Sequence, residues 1–396
     1  MGEVIIEFIN SMGIVNMGWQ HLVMICISCF LLYLAIVKGF EPLLLIPISF
    51  GMLLTNLPLS GVMNEPVLSV TPYGDGIGEH GLEVLVHNTQ PGGLLYYLFL
   101  GDELAIFPPL IFLGVGAMTD FGPVIANPKT FLLAAAAQLG IYFTFIGALL
   151  MGFTGSEAAA AAIIGSADGP TSIFLATKLA PHILAPVVVA AYSYMALVPI
   201  IQPPIMKALT TPEERAIVMK QTKPVSKKVK IIFPIATTII VSLLLPPVAT
   251  LIGMLMLGNL LRECAVADRL SEVAQNALMN IVIIFLGVSV GASASGDIFL
   301  KVQTLQILTL GVVAFGVSTA MGVLGAKFMN LFSKEKINPL IGGAAVSAMP
   351  MSARVAHKMG LEANPNNFLL MHAMGPTVSG TMASAVVAGI FISLFM

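Results

Sequence analysis

The chain has 396 residues, of which 57% are hydrophobic and only 10% are charged, and its mean hydropathy is +0.95. Soluble globular proteins carry about 25% charged residues, so these polar side chains are too few to coat a water-exposed surface. A soluble enzyme and a disordered chain are therefore excluded. With 18 Lys and Arg against 20 Asp and Glu there is no basic field, which excludes a nucleic-acid binder. The composition indicates a membrane protein built of helices, which satisfy their own backbone hydrogen bonds in lipid.

Long apolar segments predict where the chain crosses the bilayer, since a full span takes about 20 apolar residues. Two further segments, 156–178 and 338–358, are apolar but rich in small residues, Gly and Pro, and we predict that each is a re-entrant hairpin. The fold class is therefore an all-α polytopic membrane protein with about 10 transmembrane helices and two hairpins. The predicted spans are 18–38, 41–59, 94–118, 131–153, 183–207, 231–246, 247–261, 277–295, 305–329 and 367–396.

Charge placement predicts the orientation of these spans. Segment 207–230 holds 7 of the 18 basic residues, and loops rich in Lys and Arg stay in the cytoplasm. Segment 60–103 carries six acidic residues and no Lys or Arg, so we expect it outside. With segment 207–230 in the cytoplasm, hairpin 156–178 then enters from outside and hairpin 338–358 from the cytoplasm.

The sequence also repeats itself. The pentapeptide at 111–115, Ile-Phe-Leu-Gly-Val, recurs at 284–288, and the segment 51–57 resembles 253–260. Each pentapeptide is followed by a long apolar segment and then by a hairpin. If the run 231–261 is two short helices broken at Pro246-Pro247, each segment of the second copy lies five predicted spans after its counterpart, and an odd step inverts the second copy relative to the first. Inverted repeats with broken helices place an ion or substrate site near the bilayer midplane.

This repeat predicts a division of the chain into three parts. Residues 1–209 form the first inverted repeat with hairpin 156–178, residues 210–230 form a basic cytoplasmic loop, and residues 231–396 form the second repeat with hairpin 338–358. We expect the two hairpins to meet, because broken backbone at membrane depth is tolerated where it lines a cavity.

Asp168 is the strongest candidate for ion binding. It lies in Gly165-Ser166-Ala167-Asp168-Gly169-Pro170-Thr171, between two apolar arms. A carboxylate at membrane depth is costly unless it is paired. Pro170 interrupts the helix and frees backbone carbonyls, which together with the hydroxyls of Ser166 and Thr171 would make the oxygen cage that Na⁺ prefers. The alternative is an aqueous loop aspartate that only caps a helix.

The second hairpin offers a complementary set of polar groups. Asn338 and Ser347 are candidate oxygen ligands, and Gly342 permits close packing. Arg354 could hold an anionic substrate or neutralise Asp168. Its alternative reading is an interfacial arginine that reaches to the membrane surface.

Two of the predicted spans, 183–207 and 367–396, carry further polar groups inside apolar sequence. Tyr194, in Tyr-Ser-Tyr at 192–194, could relay a proton or act as a ligand, or could simply pack. Thr377 follows Gly375-Pro376 in the last span, where a helix break again coincides with hydroxyl groups.

These segments resemble the β subunits of the sodium-pumping biotin-dependent decarboxylases, which act on oxaloacetate, methylmalonyl-CoA or glutaconyl-CoA. The resemblance covers nearly the whole chain. It is carried by Phe40-Glu41-Pro42-Leu43-Leu44-Leu45-Ile46-Pro47-Ile48, Gly116-Ala117-Met118-Thr119-Asp120-Phe121-Gly122-Pro123, the Asp168 segment 165–171, Ala191-Tyr192-Ser193-Tyr194-Met195-Ala196-Leu197 and the segment 338–354.

The resemblance implies an activity, a fold and a location, the cytoplasmic (inner) membrane of a bacterium or archaeon. The subunit would decarboxylate carboxybiotin, couple this to Na⁺ export and consume a periplasmic proton. The partners would be a carboxyltransferase subunit, a biotin carrier subunit and a small single-span membrane subunit, and the β subunit would form a homotrimer with a mobile, elevator-like core moving against a scaffold.

The resemblance also implies roles for individual residues. Asp168 would be the Na⁺ ligand and carboxylate switch, and Tyr194 and Ser347 would take part in Na⁺ and proton handling. Asn338 and Gly342 would shape the site at the second hairpin, and Arg354 would suit the carboxybiotin anion. At 377 this chain has Thr where many relatives are expected to have Asn, so a hydroxyl replaces an amide as a candidate ligand.

A standalone secondary transporter, either a Na⁺/anion symporter or a Na⁺/H⁺ antiporter, is the alternative function. Inverted repeats, hairpins and a buried aspartate would serve it equally well. The hairpin sequences favour the decarboxylase subunit. The resemblance implies that the acyl substrate is chosen by the soluble carboxyltransferase subunit.

Overall fold

The structure is a computed structural model that describes residues 2–39, 41–72, 84–220, 224–333 and 335–396. Its elements up to the basic loop are α1 (Gly2–Asn10), α2 (Trp19–Val37), α3 (Pro42–Thr55), β1 (Val67–Pro72), β2 (Val84–Gln90), α4 (Leu94–Glu103), α5 (Phe107–Met118), α6 (Gly122–Ala126), α7 (Thr130–Leu150), α8 (Gly155–Ala162), α9 (Gly169–Leu179) and α10 (Leu184–Leu209). The remainder are α11 (Pro212–Arg215), α12 (Lys227–Leu244), α13 (Ala249–Glu263), α14 (Asp268–Val273), α15 (Met279–Ser293), α16 (Gly296–Phe299), α17 (Val302–Phe332), α18 (Leu340–Gly343), α19 (Met351–Ala363) and α20 (Leu370–Phe395). A π-helical turn, Ala274–Leu278, joins α14 to α15.

The predicted class, a helical protein that crosses the membrane several times, is confirmed, and a helix occurs at each of the ten predicted spans. Among the described residues, five helices are long and apolar enough to cross a membrane, or up to seven if two bent helix pairs each count as one span. The bends are 70° between α4 and α5 and 63° within α10, between Met195 and Leu197. The full count of ten stays a prediction, since α3 and α13 are short and α12 begins with lysines.

A small β-hairpin departs from the all-helical prediction. Strands β1 and β2 pair antiparallel between α3 and α4. Strand β1 begins with Val-Leu-Ser-Val-Thr, and β-branched residues favour extended backbone over helix. The hairpin lies in the acidic segment for which we predict an external position.

Glycines at two helix crossings relate the halves of the chain. Helix α3 packs along α15, and α5 packs along α13. At the first crossing Gly51 lies against the carbonyl of Val288, and at the second Gly258 lies against the carbonyl of Leu113. A Cβ at either glycine would overlap that backbone, so close approach requires glycine here. Gly258 therefore makes the contact in its half that Gly51 makes in the other, whereas the sequence match pairs Gly51 with Gly253.

The hairpins pack against two long helices, α7 and α17. Ser318 on α17 donates a hydrogen bond from its hydroxyl to the carbonyl of Gly165 over 2.5 Å. On the same helix Gly322 lies against the carbonyl of Gly342 in the second hairpin. Helix α8 contributes a run of five buried alanines, 158–162. Small residues at these surfaces let helix backbones approach closely, which is how helices associate where the hydrophobic effect is weak.

Ion pairs connect the helix ends on one side of the bundle, which we name the basic end because the loop after α10 lies there. Lys230 contacts Asp120 at 2.9 Å, and Lys207 contacts Glu362 at 3.6 Å. Burial raises the pKa of Asp120, but the hydrogen bond and charge of Lys230 outweigh burial, so the pKa lies below its usual range. At the opposite end, Glu157 accepts a hydrogen bond from His182 at 2.8 Å. These pairs are consistent with the helix directions that the predicted topology requires.

We predict that the basic end faces the cytoplasm. In a variant whose native cysteines are replaced by serine, Ser60→Cys is expected to react with an impermeant thiol reagent added outside, while Ser226→Cys is expected to react only after permeabilisation. Both serines are exposed, so accessibility of the side chain itself is matched. Outside labelling of Ser226→Cys without labelling of Ser60→Cys would contradict the topology.

Candidate functional site

The first hairpin places Asp168 at a break between two short helices. After α8 the chain forms a 3₁₀ turn, Ile163–Ser166, and Ala167 then adopts left-handed backbone with φ 53°. Pro170, in the first turn of α9, lacks the N–H that a continuous helix would need. Asp168 is thereby the N-cap of α9, and its Oδ1 accepts a hydrogen bond from the N–H of Thr171 at 3.2 Å. Its side chain is buried, so this helix-capping carboxylate lies inside the protein and not in an exposed loop.

The second oxygen of Asp168 is held by the last long helix. Ser384 on α20 donates a hydrogen bond to Asp168 Oδ2 over 2.5 Å. Ser347, in the turn of the second hairpin, donates to the Ser384 hydroxyl over 3.3 Å. The two hairpin tips also meet directly, because the N–H of Ser347 donates to the carbonyl of Ser166 at 2.9 Å. Both hairpins and α20 therefore converge on one carboxylate.

A cavity of about 430 Å³ opens beside this carboxylate. Of the predicted site residues, Asp168, Ser347 and Arg354 line it. Much of its wall is apolar and comes from α3, α5 and α15. The polar side chains that join the predicted three are Glu41, Tyr192, Gln275, Asn276, Asn280 and Thr381.

The position of the cavity along the bundle follows from its lining. Glu41 precedes α3, Met118 ends α5, and Gln275 precedes α15, and all three lie at the basic ends of their helices. Asp168 lies farther in, at the hairpin tip. The cavity therefore runs from the basic end toward the middle of the bundle, with Asp168 deep inside.

Arg354 is the cation of this cavity. Its side chain is exposed, and its guanidinium forms no hydrogen bond or ion pair with any residue that the structure describes. Its charge acts on Glu41 across the cavity. An uncommitted guanidinium keeps its planar fork of donors available for a carboxylate ligand.

Four other predicted residues lie outside the cavity. The Asn338 amide donates to the carbonyls of Arg215 and Ile217 at 2.8 and 2.9 Å, so it fastens the loop after α10 to the second hairpin. Gly342 packs on α17, and the Tyr194 hydroxyl donates to a carbonyl of the same helix. Thr377 donates to the carbonyl of Ala344 at 2.6 Å. These contacts do not support the predicted ligand roles of Asn338 and Thr377, nor contact of Gly342 and Tyr194 with a cavity ligand.

Two predicted hydroxyls lie beside Asp168 along the chain without lining the cavity. The Ser166 hydroxyl donates to the carbonyl of Ile163 at 2.7 Å. The Thr171 hydroxyl is buried and has no hydrogen-bond partner among the described residues. Buried polar groups are nearly always satisfied, so the Thr171 oxygen is the freer of the two for a ligand.

Ser384 is the main site residue that the sequence analysis missed. It lies seven residues after Thr377 and three after Thr381, so the three hydroxyls share one face of α20. That helical spacing was the available signal. Asn280 was missed as well, and it lies in an apolar helix that offers no comparable pattern.

The fold and site define a multi-pass membrane protein in which two broken helices meet at a buried carboxylate beside a cavity. The family model of the Na⁺-transporting oxaloacetate decarboxylase beta subunit matches residues 20–395. The chain belongs to this family of decarboxylase β subunits. It is thus a membrane subunit of a bacterial multi-subunit decarboxylase.

Individual relatives are similar in sequence to this chain over nearly their whole length. The chain is 62% identical to the methylmalonyl-CoA decarboxylase subunit beta of Propionigenium modestum, with 100% of both chains covered. It is 52% identical to the glutaconyl-CoA decarboxylase subunit beta of Acidaminococcus fermentans, covering 98% of this chain and 96% of the relative. It is 51% identical to the probable oxaloacetate decarboxylase beta chain of Vibrio cholerae, with 100% of both covered.

Proposed function

We propose that this subunit decarboxylates carboxybiotin, delivered by a biotin carrier subunit, and couples the reaction to Na⁺ export and proton consumption. The proposal rests on one observation: the same cavity is lined by Arg354, whose guanidinium has no partner among the described residues, and by the buried carboxylate of Asp168. The family model names Na⁺ transport, which agrees with a carboxylate at a helix break. Family membership also disfavours a standalone symporter or antiporter.

Arg354 would bind the substrate carboxylate. It lies in the part of the cavity nearest the basic end, which is the side from which a cytoplasmic carrier would arrive. Taking a carboxylate out of water into a mainly apolar cavity favours its loss as neutral CO₂. The C–N bond breaks, its electron pair stays on the biotin nitrogen, and that nitrogen takes one proton.

Asp168 would bind Na⁺ and would exchange it for a proton. A carboxylate oxygen has lone pairs beyond the one hydrogen bond that each oxygen of Asp168 accepts here. The free hydroxyl of Thr171 and the hydroxyl of Ser347 would complete an oxygen-rich site, which suits a hard cation. Protonation of Asp168 removes the charge that holds Na⁺, so the two ligands compete for one group.

The remaining predicted residues would act by holding neighbouring segments in place around the site. Asn338, Gly342 and Thr377 each bind the second hairpin to a neighbouring segment, and Tyr194 fixes α10 to α17. We propose that these contacts hold the hairpin tip against Asp168. A ligand role for Asn338 or Thr377 would require a different arrangement of the second hairpin.

We also propose that residues 1–209 and 231–396 are inverted repeats joined by the cytoplasmic loop 210–230. The glycine crossings of α3 with α15 and of α5 with α13 support this, because the second crossing pairs the counterparts of the two helices in the first, with the halves exchanged. These four helices would be the scaffold, and the hairpins with α7, α10, α17 and α20 would be the mobile core. The assembly would be a homotrimer bound to a carboxyltransferase subunit, a biotin carrier subunit and a small single-span subunit.

Affinity purification from the native membrane tests the proposed function. We expect a biotinylated polypeptide, detected with labelled streptavidin, to co-purify with this chain. We also expect the purified complex to show Na⁺-stimulated decarboxylation. An unrelated multi-pass protein, tagged and purified identically, is the control. Purification without a biotinylated partner, combined with decarboxylation that ignores Na⁺, would contradict the proposal.

A further inference from the structure

One wall of the cavity, formed by α15 and the π-helical turn before it, carries three carboxamide side chains. The residues of this wall that line the cavity recur at helical spacing and so share one face. They are Gln275, Asn276, Met279, Asn280 and Ile283. None of them is charged, so this wall offers hydrogen bonds without charge. The cation of the cavity, Arg354, belongs to α19 instead.

The two walls belong to parts of the bundle that pack separately. Helix α15 packs against α3, α4 and α5, whereas α19 packs against α10 and α20. The carboxamides and the guanidinium therefore line one cavity of about 430 Å³ from different elements. This volume lies within the range of small-molecule sites. A ligand that fills the cavity contacts both walls.

Asn280 is the carboxamide of this wall that has its full hydrogen-bonding capacity available. Asn276 donates from its amide to the carbonyl of Glu272 at 3.0 Å, and Gln275 donates to the hydroxyl of Ser271 at 3.4 Å. The Asn280 amide forms no hydrogen bond with any residue that the structure describes. Its two N–H donors and its carbonyl oxygen are therefore all open to a ligand.

The place of Asn280 in its helix also points to a ligand. It lies near the middle of the candidate span Asp268–Ser293 and is the only polar residue in 277–288. A polar side chain without a partner is costly in such a helix, and polar residues in membrane spans mark ion or substrate pathways. The π-helical turn Ala274–Leu278 precedes it, and π turns are frequent at functional sites.

A primary carboxamide is complementary to a molecular edge that carries an N–H beside a C=O. The ureido ring of carboxybiotin has such an edge, because one ring nitrogen bears the carboxylate and the other keeps its hydrogen next to the ring carbonyl. The Nδ2 of Asn280 can donate to the ring carbonyl while its Oδ1 accepts from the ring N–H. The neutral edge and the anionic carboxylate thus call for different protein groups.

We propose that Asn280 binds the ureido ring of carboxybiotin through this pair of hydrogen bonds, while Arg354 binds the carboxylate. The proposal rests on the proposed function. When the C–N bond breaks, the electron pair left on the ring nitrogen spreads onto the ring carbonyl oxygen, and the nitrogen then takes the proton. The Asn280 N–H donates to that oxygen, so its hydrogen bond strengthens as negative charge develops there.

Binding of biotinamide tests the ring contact without turnover. This probe has the ureido ring but no ring carboxylate. In the whole purified complex, Asn280→Ala should raise the concentration for half-maximal protection against thermal unfolding about 10-fold, the effect of losing two neutral hydrogen bonds. A biotinamide methylated on the nitrogen that keeps its hydrogen in carboxybiotin should bind the wild type about 10-fold more weakly. Methylation should have no further effect in Asn280→Ala, which already lacks that contact.

Turnover of free carboxybiotin by the same complex tests the effect on bond cleavage. Asn280→Ala should lower kcat about 100-fold, as expected when one donor to a developing oxyanion is removed. Asn280→Gln keeps the carboxamide on a longer stem and should restore part of both binding and turnover. The matched control is Ile281→Ala, because Ile281 is the next residue of α15, is exposed and does not line the cavity. It should behave as wild type.

Equal discrimination against the methylated probe by the wild type and Asn280→Ala would overturn the proposal, as would a wild type that biotinamide does not protect. Loss of protection by Na⁺, or a changed oligomeric state, in Asn280→Ala would also overturn it, by assigning the amide to an ion site or a subunit contact. A wild type that binds biotinamide through Asn280 but does not decarboxylate carboxybiotin would contradict the proposed function and leave the ring contact standing.

Discussion

Replacing Asp168 by Asn is expected to abolish Na⁺-stimulated decarboxylation while the protein still folds and assembles. The amide has the shape of the carboxylate, and its oxygen can still accept the Thr171 N–H, so the N-cap of α9 is kept. The amide carries no charge and takes up no proton, so both the Na⁺ ligand and the switch are lost. We expect turnover to fall about 100-fold or more, measured as Na⁺-dependent CO₂ release by the purified complex.

Asp120→Asn is the matched control for this variant. Asp120 also accepts a hydrogen bond from a backbone N–H, that of Gly122 at 2.8 Å, but it lies at the basic end and pairs with Lys230. Its loss should affect turnover only slightly, because partly exposed ion pairs contribute about 0–1 kcal/mol. Wild-type Na⁺ stimulation in Asp168→Asn, with normal assembly, would remove Asp168 from the transport mechanism.

Local sequence was sufficient to predict the helix breaks. Pro170 cannot continue a helix, and the apolar arms on either side leave nowhere for the broken backbone except the protein interior. The structure accordingly has α8 and α9 separated at Asp168. Long apolar runs likewise predicted the helices, because their position depends on the chain's own hydropathy.

Partners brought together by the fold were not predictable in the same way. Ser384 reaches Asp168 across 216 positions of sequence, and Ser289 reaches Asp102 across 187. Serines are common in apolar helices, and which of them faces a carboxylate depends on how the helices are rotated and paired. The same holds for Asn338, whose amide donates a hydrogen bond to the carbonyl of Arg215, which lies 123 positions away in the sequence.

Backbone contacts between the two halves of the chain agree with the repeat that the sequence matches predict. The pentapeptides at 111–115 and 284–288 each lie in a helix whose backbone is approached by a glycine of the other half. The sequence match pairs Gly51 with Gly253, whereas the backbone contacts make Gly258 the counterpart of Gly51. A single glycine can shift by a turn within an apolar helix without disturbing hydropathy, so only the contacts reveal its place.

Variants of Arg354 are expected to separate substrate binding from charge balance. If Arg354 holds the carboxylate of carboxybiotin, Arg354→Ala should end decarboxylation while Na⁺ still protects the protein against thermal unfolding. Arg354→Lys keeps the charge but loses the two-pronged geometry, so it should lower the rate and leave substantial activity. If Arg354 instead neutralises Asp168, the Ala variant should chiefly change Na⁺ affinity and its pH dependence.

The control for this series is Lys358→Ala. Lys358 lies one turn farther along α19 and is exposed, but it does not line the cavity. Free carboxybiotin turnover and Na⁺ protection, measured on the same preparations, report the two roles independently. The free guanidinium favours the substrate role, because a group already engaged with Asp168 would form an ion pair with it. Normal turnover in Arg354→Ala would exclude Arg354 from the reaction and require another group in the cavity to hold the anion.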